Sequence, residues 1–191
     1  MCKIIHQMLK ANLLLSVFLI PVSAFAQIDS LFVLPGEGII VHADTILIND
    51  TPIEESMSLL GISELPPLIY GIADGWDLET GESISNTFVA IKLNYFGIIF
   101  EYEGDIENEL NLKWIRIPKS EKYSASIANG LFLGQINPPI DSFFPEVSKY
   151  DYVSEDSLTY NLYSYGISFS LKGEEEKILN EISVHYTIEE P

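Results

Sequence analysis

The chain has 191 residues, of which 47% are hydrophobic and 20% are charged, and its 28 acidic residues against 10 Lys and Arg give a formal net charge of −18. A hydrophobic content this high is typical of a folded protein and excludes a chain that is disordered throughout. The excess of acidic residues argues against a nucleic-acid partner, because phosphate binding requires clustered Lys and Arg side chains.

The first 26 residues have the pattern of a secretory signal peptide. Lys3 and Lys10 form a positive N-terminal region, residues 13–20 are apolar, and Ala24-Phe25-Ala26 has the small-residue spacing of a cleavage site. The apolar stretch is shorter than the roughly 20 residues that cross a bilayer. We therefore expect a cleaved signal and an exported protein, periplasmic or extracellular, with no membrane span in the mature chain. The single cysteine, Cys2, lies within the predicted signal.

The charges of the predicted mature chain are unevenly distributed. Residues 27–91 contain 11 acidic residues and no Lys or Arg. A surface of this kind keeps an exported protein monodisperse, or it complements a basic partner.

Three short strands and a helix are predicted before residue 62. The strands cover 31–34, 38–41 and 45–48, which are rich in aliphatic and β-branched residues. Thr51 and Glu54 have the spacing of a capping box, and Pro52 stands at the first helical position. The helix has one apolar stripe and ends at a glycine that can adopt the left-handed conformation; these residues are Ile53, Met57, Leu60 and Gly61.

Three strands are predicted after this helix, over 87–95, 98–102 and 112–117, because apolar and polar residues alternate there. The same order then recurs. Residues 131–134 match the strand at 46–48, residues 137–144 match the Pro-started helix with Asn137 as its cap, residues 165–169 match 96–100, and residues 182–184 match 115–117. The offset between the copies falls from 85 at the first strand to 69 at the glycine turn and 67 at the last strand. The first copy therefore carries about sixteen additional residues, within 62–86.

This pattern predicts an α+β protein made of two tandem repeats, each a short helix packed on an antiparallel β-meander. The first repeat, with its N-terminal strands and insertion, covers 27–122, and the second covers 123–191. Residues 52–61 with 94–100, and 138–145 with 163–169, resemble the β-lactamase-inhibitor-protein fold. One copy resembles the small outer-membrane-assembly lipoproteins of the SmpA/BamE type. The chain lacks their lipidation cysteine and lacks disulfides, so the resemblance implies a fold and leaves the partner open.

In such a fold the helices cover one face of the sheet and the other face stays open. Alternation assigns these residues to the covered side: Val89, Ile91, Leu93, Ile98, Phe100, Tyr102, Ile115, Ile117, Ile167, Phe169, Leu171, Ile182 and Val184. Because Trp, Tyr and Arg are enriched at interface hot spots, we predict partner-binding roles for Trp114, Arg116, Phe88, Lys92, Tyr163, Tyr165 and, in the acidic insertion, Trp76. The alternative is that these aromatic side chains pack against the other repeat or a loop.

Catalytic and metal-binding patterns are sparse. The predicted mature chain has only His42, expected at a strand end, and His185, expected to be exposed on the open face; the two do not have zinc-site spacing. No Gly-x-Ser-x-Gly motif occurs. The segment Asp74–Glu79 lacks the twelve-residue calcium-loop pattern and is expected to be an acidic loop, with calcium binding as the alternative.

The sequence therefore predicts a non-catalytic protein that binds another protein, as an inhibitor, an immunity factor or an envelope accessory. We expect no cofactor, no metal and no catalytic residue. Acidic residues are abundant, which leaves a small carbohydrate-active or other hydrolytic enzyme with paired carboxylates as the alternative function.

Overall fold

The structure is a computed structural model that describes residues 30–76, 83–104, 110–145, 148, 151–156 and 158–187. The predicted signal peptide lies outside the described residues. In chain order the strands are β1 (Leu31–Leu34), β2 (Gly38–Val41), β3 (Asp44–Leu47), β4 (Ile69–Trp76), β5 (Ser83–Tyr95), β6 (Ile98–Gly104), β7 (Asn111–Pro118), β8 (Ala125–Ile127), β9 (Tyr152–Val153), β10 (Thr159–Leu162), β11 (Ile167–Lys172) and β12 (Ile178–His185). Helix α1 (Ile53–Leu60) follows β3, and helix α2 (Ile140–Phe143) follows β8. No helix of this described part is long and apolar enough to cross a membrane.

The four-stranded sheet, which we call the small sheet, has the order β3-β2-β1-β8. The three N-terminal strands are confirmed, and they pair as antiparallel neighbours, whereas β8 runs parallel to β1. The strand predicted at 131–134 is wrong: Phe132 makes only an isolated bridge to Ser126. Gly130 and Gly134 flank this segment with φ of 95° and 87°. Because these positive φ values turn the chain away from an extended conformation, no strand forms there.

The eight-stranded sheet, which we call the large sheet, has the order β4-β5-β6-β7-β12-β11-β10-β9 and is antiparallel throughout. The strands predicted at 87–95, 98–102 and 112–117 are confirmed. The prediction missed β4, whose two glycines and aspartate weaken the strand signal. Eight consecutive pairs with β5 hold β4 in the sheet.

The β6–β7 and β11–β12 hairpins have matching registers. Phe100 pairs with Ile115 in the first hairpin, and Phe169 pairs with Ile182 in the second. Each hairpin has one register shift. It leaves one additional residue without an opposite partner, Lys113 in β7 and Asn180 in β12.

The core lies between the two sheets. Every residue that alternation assigned to the covered side of the large sheet is buried, which confirms that prediction. All of these side chains except Val89 belong to one hydrophobic cluster with residues of the small sheet and the helices, among them Leu31, Val33, Ile39, Ile46, Ile53, Leu60 and Ile140. The helices were expected to cover the sheet by themselves. At about 12 Å and 6 Å long they are too short for eight strands that span about 34 Å, so the small sheet supplies much of the cover.

The helix ends differ from the predicted capping pattern. Helix α1 begins after Pro52 with no side-chain cap, and the Thr51 hydroxyl instead accepts a hydrogen bond from the Leu47 amide at 2.8 Å. Asn137 likewise does not cap α2, because its side-chain oxygen accepts from the Lys177 amide at 3.0 Å. The predicted C-terminal glycine is confirmed: Gly61 has φ 65° and its N–H bonds to the last turn of α1.

Candidate functional site

The face of the large sheet that points away from the core carries the side chains that alternate with the buried ones, and we call it the open face. One row of paired residues crosses it from β5 to β9; it consists of Asn94, Ile99, Arg116, Ser183, Ser168, Asn161 and Tyr152. The adjacent row contains Lys92, Glu101, Trp114 and His185. The register of the sheet therefore brings Lys92, Trp114 and Arg116, three predicted binding residues, onto one surface.

Both cations among these residues are paired with carboxylates. Lys92 Nζ lies 2.7 Å from Glu101 Oε1 on the neighbouring strand. Arg116 makes a fork to Glu181, with Nε 3.0 Å from Oε1 and Nη2 3.2 Å from Oε2. Hydrogen bonding to Glu181 raises the pKa of Arg116 further. Both pairs are partly exposed, so each contributes at most about 1 kcal/mol to stability, but each holds its cation in place.

Glu103 lies two residues after Glu101 on the same side of β6. Burial, followed by repulsion from Glu101, raises the pKa of Glu103 above its usual value. Among the described residues of the open face, Glu101, Glu103 and Glu181 are partly buried carboxylates that lie near Lys92 and Arg116.

His185 is not exposed, so the prediction of an exposed histidine on this face is wrong. Its side chain has 0% exposure. The rings of Trp114 and Tyr163 cover it, with centroids 4.6 Å and 4.9 Å from the imidazole. The reason is that Trp114 stands directly opposite His185 in the β7–β12 pair, where a large flat ring can shield the imidazole from water.

The hydrogen bonds of His185 determine its tautomer. Nδ1 lies 3.0 Å from the Tyr186 carbonyl oxygen, which can only accept, so Nδ1 carries the proton. Nε2 then accepts from the Ser168 hydroxyl at 3.0 Å. Burial lowers the pKa of His185 below its ordinary value. This serine–histidine pair has the spacing of a nucleophile and its base, but Ser168 is only 8% exposed, so the pair is part of the packed sheet.

Asp151 holds the turn that carries Tyr163. The carboxylate accepts from the Ser164 amide at 2.9 Å, from the Ser164 hydroxyl at 2.6 Å and from the Ser148 amide at 2.8 Å. Burial alone would raise the pKa of Asp151, but these hydrogen bonds outweigh it and the pKa is lowered. The turn between β10 and β11 is thereby anchored beside His185.

Tyr165, another predicted binding residue, is not brought into this group. Tyr165 is half-buried, and its ring contacts Phe144 at 5.0 Å, next to the core. Phe88 pairs with Gly71 and Trp76 pairs with Ser83 in the β4–β5 hairpin, but their side chains lie outside the described part. Glu181 is not among the predicted binding residues; its place two residues before Ser183 in the alternation of β12 could have indicated it.

The predicted acidic loop begins inside a strand, since Asp74, Gly75 and Trp76 belong to β4, and residues 77–79 lie outside the described residues. In the part of the chain that the structure describes, no three His, Cys, Asp or Glu side chains are grouped as a metal site.

A cavity of about 200 Å³ lies against the small sheet. Among the described residues it is lined by Ser30, Leu31, Phe32, Ile40, His42, Ala43 and Ser126, none of which is a carboxylate. The paired acids expected of a glycoside hydrolase are not found in this cavity.

Comparison with protein-family models, with curated proteins and with solved structures finds no match for this chain.

Proposed function

We propose that this chain is an exported, non-catalytic protein that binds another protein through the open face of its large sheet. The observation that carries the proposal is the grouping of Trp114, Arg116 and Tyr163, each held by a partner on a different segment. Residues of these three types dominate the energetics of measured interfaces. Export is inferred from residues 1–26 alone.

The open face is organised before any partner arrives. Arg116 is forked to Glu181, Trp114 lies on the His185 ring, and the turn that carries Tyr163 is tied to Asp151. Ordering a long side chain at an interface costs roughly 0.5–1.5 kcal/mol, so side chains that are already ordered favour affinity.

The charge of this face differs from that of the whole chain. Among the described residues of this face, Lys92 and Arg116 lie near three partly buried carboxylates, whereas the whole chain carries −18. A partner that approaches the open face therefore meets aromatic rings and paired charges, and acidic repulsion is weaker there than elsewhere.

We also propose that the two meanders are copies of one repeat, as the resemblance to the β-lactamase-inhibitor-protein fold implies. In both, a short helix precedes four antiparallel strands, α1 with β4–β7 and α2 with β9–β12. The unpaired bulge residues Lys113 and Asn180 differ by the same 67 positions that relate the last strands in sequence. Arg116 and Ser183 also correspond at this offset, and they pair with each other, which is the relation expected across a pseudo-twofold axis.

The additional residues predicted within 62–86 of the first copy also support the proposed repeat. The β4–β5 hairpin contains eight pairs, whereas the β9–β10 hairpin contains two. The insertion would then be a lengthened first hairpin. An experimental structure in which β5–β7 and β10–β12 do not superpose would contradict the repeat.

The binding proposal is tested by capture on the mature chain. Wild type, Trp114→Ala, Arg116→Ala and Phe132→Ala are immobilised and exposed to envelope extract of the source cells, and the captured protein is then purified for affinity measurement. Phe132 is the control, because it is an exposed aromatic residue beside the small sheet. We expect Trp114→Ala and Arg116→Ala to weaken binding by about thirtyfold, near 2 kcal/mol, and Phe132→Ala to have no effect.

Circular dichroism of each variant separates lost binding from lost structure. Equal binding by folded Trp114→Ala and wild type would overturn the proposal. If Phe132→Ala weakens binding more than the open-face variants, the interface lies on the small sheet.

A further inference from the structure

Strand β4 forms one edge of the large sheet. It pairs with β5 through eight consecutive positions, from Ile69 opposite Ala90 to Trp76 opposite Ser83, without a register shift. No strand of the described residues lies along its outer side. The backbone of 71–76 therefore offers a regular row of hydrogen-bonding positions at the edge of the sheet.

In the part of the chain that the structure describes, this edge lacks several of the devices that normally prevent pairing with another chain. Natural edge strands are commonly short, bulged, or interrupted by Lys or Pro. The opposite edge, β9, follows that rule with two residues. By contrast β4 has eight residues, Ile-Tyr-Gly-Ile-Ala-Asp-Gly-Trp, with no Lys, no Pro and no bulge.

Three exposed apolar residues lie just before β4 or at its start. Leu65, Ile69 and Tyr70 are 55%, 43% and 65% exposed. Large apolar residues in such positions are contact sites for the alternate side chains of an added strand. Because these three exposed side chains lie within six residues of each other, they favour an extended chain as the binding partner.

The acidic residues near β4 favour a binding segment of positive charge. The exposed Glu64 precedes β4, Asp74 lies within it, and residues 27–91 contain no Lys or Arg. A basic segment would be attracted to this part of the molecule and an acidic one repelled.

We propose that the outer edge of β4 binds a basic, extended segment of a protein partner, which adds to the large sheet as a further strand. Main-chain hydrogen bonds to 71–76 supply affinity, and apolar side chains of the segment contact Leu65, Ile69 and Tyr70. Lys and Arg side chains of the segment meet the acidic surroundings. This site is separate from the open face, and it does not rest on the function proposed for that face.

The first test uses the mature protein and a fluorescent, end-blocked octapeptide of alternating Lys and Val. A second peptide carries N-methyl groups on its four central residues, which remove strand hydrogen bonding along both edges and keep the charge. A third has Glu in place of Lys. We expect the N-methylated peptide to bind at least about tenfold more weakly than the first, since several main-chain bonds of roughly 1 kcal/mol are lost, and the Glu peptide not to bind.

The second test locates the site by hydrogen exchange and by charge reversal. The unmodified peptide should slow exchange of the amides of 71–76. Asp74→Lys should weaken its binding, whereas Asp44→Lys, the same change on an edge strand of the small sheet, should not. Trp114→Ala should leave peptide binding unchanged, which separates this result from the test of the open face.

Equal affinity for the plain and N-methylated peptides would overturn the proposal and indicate general attraction to an acidic surface. The proposal would also be overturned if the unmodified peptide did not bind, or if it slowed hydrogen exchange only in β7 and β12.

Discussion

The Tyr102 hydroxyl donates a hydrogen bond of 2.5 Å to the Ser56 hydroxyl, which joins the middle of β6 to the buried side of α1. Both residues are fully buried. Burial raises the pKa of Tyr102 to about 12, so the phenol stays protonated and remains a donor throughout the physiological range. The pair is a polar contact inside the hydrophobic core, and it sets how the helix sits on the large sheet.

Removing both partners of this pair should destabilise the protein by less than the sum of the two single changes. Tyr102→Phe leaves the Ser56 hydroxyl without this donor, and Ser56→Ala leaves the Tyr102 hydroxyl without an acceptor. We expect each to lower the free energy of unfolding by about 1–3 kcal/mol. The double variant should be less destabilised than the sum of the two, by about 1 kcal/mol. Urea denaturation of the four proteins measures this coupling, and strictly additive losses would contradict it.

Two corresponding glycines should respond differently to the same substitution. Gly97 and Gly166 both have positive φ, 102° and 63°. A Cβ on Gly97 would meet nothing within 4 Å, whereas a Cβ on Gly166 would lie 2.3 Å from the Gly36 Cα and 2.6 Å from the His185 carbonyl oxygen. We expect Gly97→Ala to cost about 1–2 kcal/mol for its backbone conformation and Gly166→Ala to cost clearly more. Thermal unfolding of both variants checks the order, and Gly97→Ala is the matched control.

The turn between β2 and β3 should be improved by glycine. His42 and Ala43 occupy it with φ of 52° and 76°, a left-handed conformation that suits Gly or Asn. Ala43 is exposed, so a change there alters few contacts. Ala43→Gly should raise the free energy of unfolding by about 0.5–1 kcal/mol, and Ala43→Val should lower it. Denaturation midpoints that move in the same direction for both variants would show that the turn is not strained.

The stability of the protein should fall as the pH drops below about 6.5 because of His185. Burial lowers its pKa below the ordinary value of 6.5. The unfolded chain therefore binds a proton at a higher pH than the folded protein does. The resulting stability is fully present above pH 6.5 and is lost as the pH falls from there toward the lowered pKa.

The control for this pH effect is His185→Gln, measured by urea unfolding over the same range. Glu103, whose pKa is raised, and Asp151, whose pKa is lowered, also titrate in acid. They are present in both proteins, so the difference between the two profiles isolates His185. Parallel profiles between pH 7 and 5 would contradict the assignment.

The strands β5–β7, β11 and β12 and their buried sides could be predicted from the sequence, whereas β10 was not predicted. In a strand, side chains alternate between faces, so the period of Leu93, Phe100, Ile115 and Val184 identifies the apolar side whatever covers it. The left-handed conformation of Gly61 could also be predicted locally, because helices commonly end at a glycine of this conformation. These features depend on residues that are neighbours in the chain.

Only the tertiary structure decided the surroundings of His185, the position of Tyr165 and the pairing of β4. His185 is buried because Trp114 and Tyr163 meet over it, and these three residues come from separate segments. Asn137 bonds to the Lys177 amide rather than capping α2 because the tertiary fold brings that amide, forty residues away, within reach. Residue pattern predicts which face of a strand is apolar, but burial of a polar side chain depends on what the rest of the chain places against it.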